Sequence, residues 1–180
     1  MENRYFTRFT RSLAQSDVGI SALKYVLGGK TLPSDDPITE AYHSCLGHLA
    51  EAFLSELGFI SEPSDRRLAA IEFLSFADRN RPYSPRAAGN RPSHYWEAAS
   101  QWAEAVLAAA RVLPRACRNE DLLRQARFVR AYLDHVEIPI QVDWDAELTF
   151  MKPGGNARWY VRTEQGGFSR PLAWGVLSGR

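Results

Sequence analysis

The stretch DLLRQARFVRAYLDHV, residues 121–136, carries three arginines at three-residue intervals, Arg124, Arg127 and Arg130. A guanidinium presents a planar fork of N–H donors that matches the oxygens of a phosphate or a carboxylate. At about 100° per residue, the three arginines share one side of a helix. The apolar face opposite them is Leu122, Ala126, Val129, Leu133 and Val136. The spacing predicts an amphipathic helix with a row of arginines.

Two uses of this arginine row are possible. Most charged rows on amphipathic helices are simply solvated. Here, however, no acid stands four residues after Arg124 or Arg127, and Asp134 is in that position only for Arg130. The missing partners favour an anionic ligand for the row.

Charge is segregated along the chain, although the net charge is only +1. Residues 31–62 contain six acids and no Lys or Arg, whereas residues 111–130 contain six arginines and two acids. The small net charge argues against a strongly basic nucleic-acid binder acting alone. The segregation nevertheless leaves one acidic and one basic segment as candidate surfaces.

Two spacings that involve histidine could indicate a ribonuclease site or a zinc site. RAYLDH, Arg130 to His135, matches the R-x4-H spacing of HEPN-type ribonucleases, but residues five apart on a continuous helix diverge by about 140°. His43 and His48 are also five apart, whereas zinc-binding histidine pairs on a helix are spaced i,i+4. The first spacing keeps a ribonuclease or toxin as an alternative; the second predicts helix-surface or core-edge histidines.

Familiar catalytic and cofactor motifs are missing from the sequence. It has no GxxxxGK[ST], GxGxxG, GxSxG, HExxH or paired CxxC. Cys45 and Cys117 lie far apart and are expected to be small buried residues. We therefore predict no catalytic residue, no metal site and no cofactor.

Caps and breakers predict the elements that position these residues. Helices are expected from Glu2 to Gln15, from a Ser16 cap to Leu27, from an Asp36 cap to Gly58, from a Ser64 cap to about Asn80, from Ser93 to Leu113 and from an Asn119 cap to Val136. Residues 79–92 are predicted to form a long loop. Residues 145–165 favour two short helices, although Thr149 and Trp159 leave a hairpin open.

The expected architecture is all-α, a bundle of about six to eight helices in one domain over residues 1–165 with an irregular tail over 166–180. No apolar run is long enough to span a membrane, and the N-terminus does not look like a signal peptide. A cytoplasmic location follows as an expectation.

Several stretches resemble one family. RFTRSLAQSDVGISALKYVLGG, residues 8–29, RVLPRACRNEDLLRQARFVRAYLDHVEIPIQVDWDAEL, residues 111–148, and ARWYVRTEQ, residues 157–165, are similar to the CasB-type small subunit of the type I-E Cascade, an RNA-guided CRISPR surveillance complex. The chain departs from that pattern at Tyr25, where the family has a second basic residue, and at Pro114.

The resemblance implies a non-catalytic, all-helical subunit of a CRISPR complex. It would bind the backbone of guide RNA and target DNA, stabilise the R-loop, and lie beside other subunits and a second copy of itself. The nucleic-acid-binding residues that it implies are Lys24, Arg115, Arg118, Arg124, Arg127 and Arg130. A further alternative is a stand-alone inhibitor or immunity protein that uses the acidic 31–62 surface.

Overall fold

The computed structural model describes residues 3–33, 37–82, 93–135, 149–151 and 158–160. Six α-helices dominate these ranges, so the predicted all-α bundle is confirmed. The helices are α1 Arg4–Leu13, α2 Asp17–Leu27, α3 Pro37–Phe59, α4 Pro63–Arg79, α5 Ser93–Val112 and α6 Glu120–His135. A single 3-10 turn, Arg115–Cys117, lies between α5 and α6.

Local side-chain bonds define the starts of two helices where the sequence predicts them. The Ser16 hydroxyl accepts a hydrogen bond of 3.0 Å from the Gly19 amide at the start of α2. The Asn119 side chain accepts one of 3.1 Å from the Leu122 amide at the start of α6. Each bond satisfies an amide that has no partner within its helix.

The start of α4 differs from the prediction. The N-cap is Glu62, and Pro63 occupies the first helical position, so Ser64 lies inside the helix and does not cap it. Proline is well suited to this position because its fixed φ fits the helix and the first amide lacks an intrahelical acceptor in any case.

The centre of the bundle is α5, which packs against α3, α4 and α6. Its buried side includes many alanines, and small side chains let neighbouring helices approach closely. Trp102 fills the middle of the bundle with no exposed surface, and its indole N–H donates to the Ala77 carbonyl of α4 at 3.3 Å. Helix α5 thus supports α6, which carries the arginine row.

Aromatic rings join α1 to α3 and α4. The rings of Phe53 and Phe73 stack with their centroids 4.1 Å apart, and Tyr5 meets both edge-on at 5.7 Å. Phe9 contacts Phe76 in the same cluster at 5.6 Å. Offset and edge-to-face arrangements of this kind are the favourable geometries for aromatic pairs.

A single carboxylate ties α1 to α3 beside this cluster. Glu56 accepts hydrogen bonds from Arg4 Nη2 at 2.5 Å, Arg8 Nη1 at 2.6 Å and the Tyr5 hydroxyl at 2.7 Å. Burial alone would raise the pKa of Glu56, but the bonds from Tyr5 and Arg8 and the charges of Arg4 and Arg8 outweigh it, so that pKa lies below its ordinary range. Burial and the bond to Glu56 raise the pKa of Tyr5 to about 12.

The expectation of helices between residues 145 and 165 is wrong for the residues that the structure describes there. Thr149–Met151 forms strand β1 and Arg158–Tyr160 forms strand β2, paired antiparallel with Thr149 opposite Tyr160. The intrinsic strand preference of threonine and aromatic residues prevails in these short runs. The 83–92 part of the predicted loop, the domain boundary at residue 165 and the 166–180 tail lie outside the described residues.

The two cysteines differ in exposure. Cys117 is exposed on the 3-10 turn, so its expected burial is wrong, whereas Cys45 on α3 is half-buried with its sulfur 3.4 Å from the Ser12 hydroxyl. None of the helices in the described ranges has the length and apolar character needed to cross a bilayer.

Candidate nucleic-acid interface

Arg130 is engaged across the α5–α6 interface. Its Nη1 lies 3.1 Å from a carboxylate oxygen of Glu104 and donates to the Ser100 hydroxyl at 3.2 Å. The partner predicted for this arginine from the sequence is Asp134, on its own helix. Glu104 and Ser100 are successive positions on one face of α5, and only the antiparallel register of α5 and α6 brings them to Arg130. This arginine joins two helices.

The two other members of the row are less constrained. Arg127 has one ion pair, at 3.7 Å from Glu120, whose side chain is 62% exposed. Arg124 makes no ion pair or hydrogen bond within the described ranges. The row therefore runs from a bound arginine near the middle of α6 to an unpaired one near its start.

The arginine side of α6 is not one open face. Leu123 and Phe128 are 1% and 2% exposed, and they lie outside the predicted apolar stripe. All three arginines are consequently only partly exposed. The predicted core positions Leu122, Ala126 and Val129 are confirmed, but the buried surface of α6 is wider than its period indicates.

Arg118 has a structural role. Its Nε and Nη2 donate to the Leu113 carbonyl at 3.0 and 2.8 Å. That carbonyl follows the last residue of α5, where backbone acceptors lack helical partners, and a positive charge there also complements the helix dipole. The structure thus uses this predicted site residue to close α5.

The connection between α5 and α6 places further cations together. Arg111 in the last turn of α5 and Arg115 on the 3-10 turn are both exposed, and neither has a partner in the part of the chain that the structure describes. Because α5 and α6 are antiparallel and joined by a short connection, these residues and the start of α6 share one end of the helix pair. We call Arg111, Arg115, Arg124 and Arg127 the basic corner.

The acids near the basic corner are partly neutralised by another element. Asp121, at the start of α6, lies 3.3 Å from Arg81 Nη1, which also donates to Gln125 at 2.8 Å. Arg81 follows α4 and is paired with Asp78 at 2.6 Å as well. The other acid at this end of α6, Glu120, makes a long contact of 3.7 Å to Arg127. The balance at the corner is positive.

Lys24 is not part of this arrangement. It is exposed on α2, which packs against α1 and α3, whereas the arginines belong to α5, α6 and their connection. Of the six predicted binding residues, the structure gathers Arg115, Arg124 and Arg127 at one corner. Arg111 was counted in the basic segment but missed as a site residue, because its place at the corner depends on the turn between two helices.

The positions of the histidines bear on the ribonuclease and metal-binding alternatives. Arg130 and His135 lie on one continuous helix, with the arginine engaged by Glu104. His43 is fully buried, deeper than predicted, while His48 is exposed on the same helix. The described residues contain no group of three His, Cys, Asp or Glu suited to holding a metal ion.

The acidic 31–62 segment is partly used within the fold. Glu51 accepts a hydrogen bond from Gln101 on α5, and Glu56 accepts three from α1. Glu40 and Glu62 are exposed, and neither has a partner within the described ranges. An acidic interaction surface built on the whole segment therefore loses two of its carboxylates to internal contacts.

Comparison with known proteins adds no relative: no family model, curated protein or solved structure matches the chain.

Proposed function

We propose that the chain binds the sugar-phosphate backbone of nucleic acid through the basic corner. The observation that carries the proposal is the concentration of unpaired guanidinium groups there. Arg111, Arg115 and Arg124 have no partner among the described residues, whereas several other arginines of the bundle are engaged by carboxylates or carbonyls. Guanidinium groups without internal acceptors are available to phosphate oxygens.

The chemistry fits backbone contact without base recognition. Phosphate contacts supply affinity and position, whereas sequence is read by side chains that reach base edges. Arg127 adds a fourth cation, because its 3.7 Å ion pair with the exposed carboxylate of Glu120 is weak and exchanges readily for a phosphate. The corner is thus suited to binding that is independent of sequence and sensitive to salt.

The proposed setting is the one that the sequence resemblance implies, a cytoplasmic, non-catalytic small subunit of an RNA-guided CRISPR surveillance complex. The helical bundle agrees with that setting, and the net charge of +1 predicts weak binding by the isolated chain. R-loop formation is nearly balanced in free energy, so a few backbone contacts from neighbouring subunits and a second copy are enough to tip it.

The test compares two triple variants that lose the same charge. The site variant replaces Arg111, Arg115 and Arg124 with alanine. The control variant replaces the exposed arginines of α1 and α4, Arg11, Arg67 and Arg79. Binding to labelled single-stranded DNA is measured by anisotropy over a range of salt concentrations.

Each lost phosphate contact lowers the slope of log affinity against log salt by about 0.7, so the site variant loses about 2 in slope. The control variant keeps most of the wild-type slope. Equal losses in both variants would attribute binding to total charge and refute the basic corner. Cleavage of labelled RNA by the wild-type chain that disappears in His135→Ala would replace the proposal with the ribonuclease alternative.

A further inference from the structure

A groove lies between the start of α1, the α3–α4 turn and the first half of α4. Its volume is about 520 Å³. The residues that line it are Arg4, Ile60, Ser61, Glu62, Asp65, Leu68, Ala69 and Glu72. The volume falls in the range of sites that accept side chains or small molecules.

The charge of the groove is negative. Glu62 and Asp65 are exposed and have no partner in the described ranges, whereas Glu72 is paired with Arg4 at 3.7 Å. Among the described residues of the lining, Arg4 is the only cation, and it is shared with Glu56. Arg66 lies near the turn, but its guanidinium donates to the Ile60 carbonyl at 3.1 and 2.6 Å and closes α3. Two carboxylates at the groove remain available to a partner.

The same region exposes bulky apolar side chains. Leu68 lines the groove and is 49% exposed, and Ile71, on the next turn of α4, is 50% exposed. Phe59, the last residue of α3, is 85% exposed. Isolated exposed apolar residues are ordinary. However, half of the large apolar side chains that are exposed in the described ranges lie at the end of α3 or on α4, in or near the groove.

We propose that this groove binds an amphipathic helix of a partner protein, one that presents bulky apolar side chains flanked by Lys or Arg. Apolar anchors at i, i+3 and i+4 would contact Leu68 and Ile60 in the groove, and the flanking cations would meet Glu62 and Asp65. The charge complementarity favours a basic peptide over nucleic acid, because the two free carboxylates repel phosphates. The groove therefore serves protein contact, independently of the basic corner.

The probe is a designed helical peptide with leucines along one face and lysines on the other, labelled for anisotropy. A matched peptide carries glutamate in place of every lysine. Leu68→Ser and the double variant Glu62→Lys, Asp65→Lys are expected to weaken binding of the lysine peptide about tenfold each. Both variants change exposed side chains, and circular dichroism checks that they remain helical.

The control variants keep the same chemistry away from the groove. Val18→Ser removes an exposed apolar residue of α2, and Glu40→Lys with Glu97→Lys reverses two exposed acids of α3 and α5. Retained binding in both controls, with loss in the groove variants, supports the proposal. Equal binding by all variants, or equal binding of the glutamate peptide, overturns it.

Two other occupants are distinguished in the same series. Self-association that rises with concentration in sedimentation and disappears in Leu68→Ser, without peptide binding, would make the groove an interface between copies and overturn the proposal. Competition of the lysine peptide with single-stranded DNA, lost in the groove variants, would do the same in favour of nucleic acid.

Discussion

Gly19 is expected to tolerate no side chain, because a Cβ there would collide with the backbone of α1. An added Cβ would lie 2.7 Å from the Leu13 carbonyl carbon and 3.1 Å from its Cα, and closer still to the carbonyl oxygen. A backbone carbonyl at the end of a helix cannot rotate out of the way as a flexible side chain does. Gly19→Ala must therefore displace α2 from α1.

Gly58 provides the matched control on α3. It is exposed and helical, and no described residue beyond its own stretch of helix lies within 4 Å of the position of its added Cβ. Overpacking of the kind expected at Gly19 costs about 2 to 3 kcal/mol, while Gly58→Ala gains roughly 0.5 kcal/mol because alanine has the higher helix propensity. For a chain of this size, these values correspond to a melting temperature about 4 to 12 °C lower and about 1 to 2 °C higher, respectively.

The assay is thermal and urea unfolding of the two variants and the wild type, followed by circular dichroism. The expected melting temperature of Gly58→Ala is above that of the wild type, and that of Gly19→Ala is well below it. If Gly19→Ala fails to accumulate as soluble protein while Gly58→Ala does, that result also indicates that Gly19→Ala is the destabilised variant. Equal stability of the two variants would refute the close contact between α1 and α2.

Two further predictions concern single side chains with internal roles. Arg118→Ala should lower the free energy of unfolding by about 1 to 2 kcal/mol, because two donors to the Leu113 carbonyl are lost, and leave the salt slope of DNA binding unchanged. A reduced slope at wild-type stability would instead return Arg118 to the binding surface. Because the pKa of Glu56 is lowered by folding, its contribution is present above its ordinary pKa of about 4.5 and is lost as the pH falls below it. Glu56→Gln should thus flatten the fall in stability below that pH, measured by urea unfolding, and an unchanged pH profile would contradict the assigned bonds.

Local patterns predicted those parts of the fold that depend on neighbours in sequence. The helical period places Tyr5, Phe6, Phe9 and Leu13 on one side of α1; Phe6 is half-buried there, and the other three are fully or almost fully buried. The caps at Ser16 and Asn119 were found because a capping bond spans only three residues. These elements would be recognised in any helical chain.

The candidate site was predicted less completely, because its geometry depends on contacts between distant residues. Arg130 was expected to pair with Asp134 or an anion, and its partners Glu104 and Ser100 come from another helix. Arg118 was expected at the site, and it closes α5. The spacing of residues within α6 does not show how α5 packs against it. Arginines with and without internal partners therefore cannot be told apart in the sequence.

The strands were missed for a different reason. Thr149–Met151 and Arg158–Tyr160 are three residues each, too short for a period of two to be told from a helical one. Thr149 and Trp159 leave a hairpin open in the sequence, but so short a run does not exclude a helix. For such short runs, intrinsic preference was the better guide.

The attachment of α1 has a practical consequence for the design of expression vectors. The Asn3 side chain donates to the Glu72 carbonyl at 3.0 Å, and Arg4 both lines the groove and contacts the Glu72 carboxylate. A segment fused to the N-terminus is thus attached to the bundle beside the groove. A polyhistidine tag placed there would add cations beside Glu62 and Asp65 and imitate the basic partner, so peptide-binding measurements call for a cleaved N-terminus.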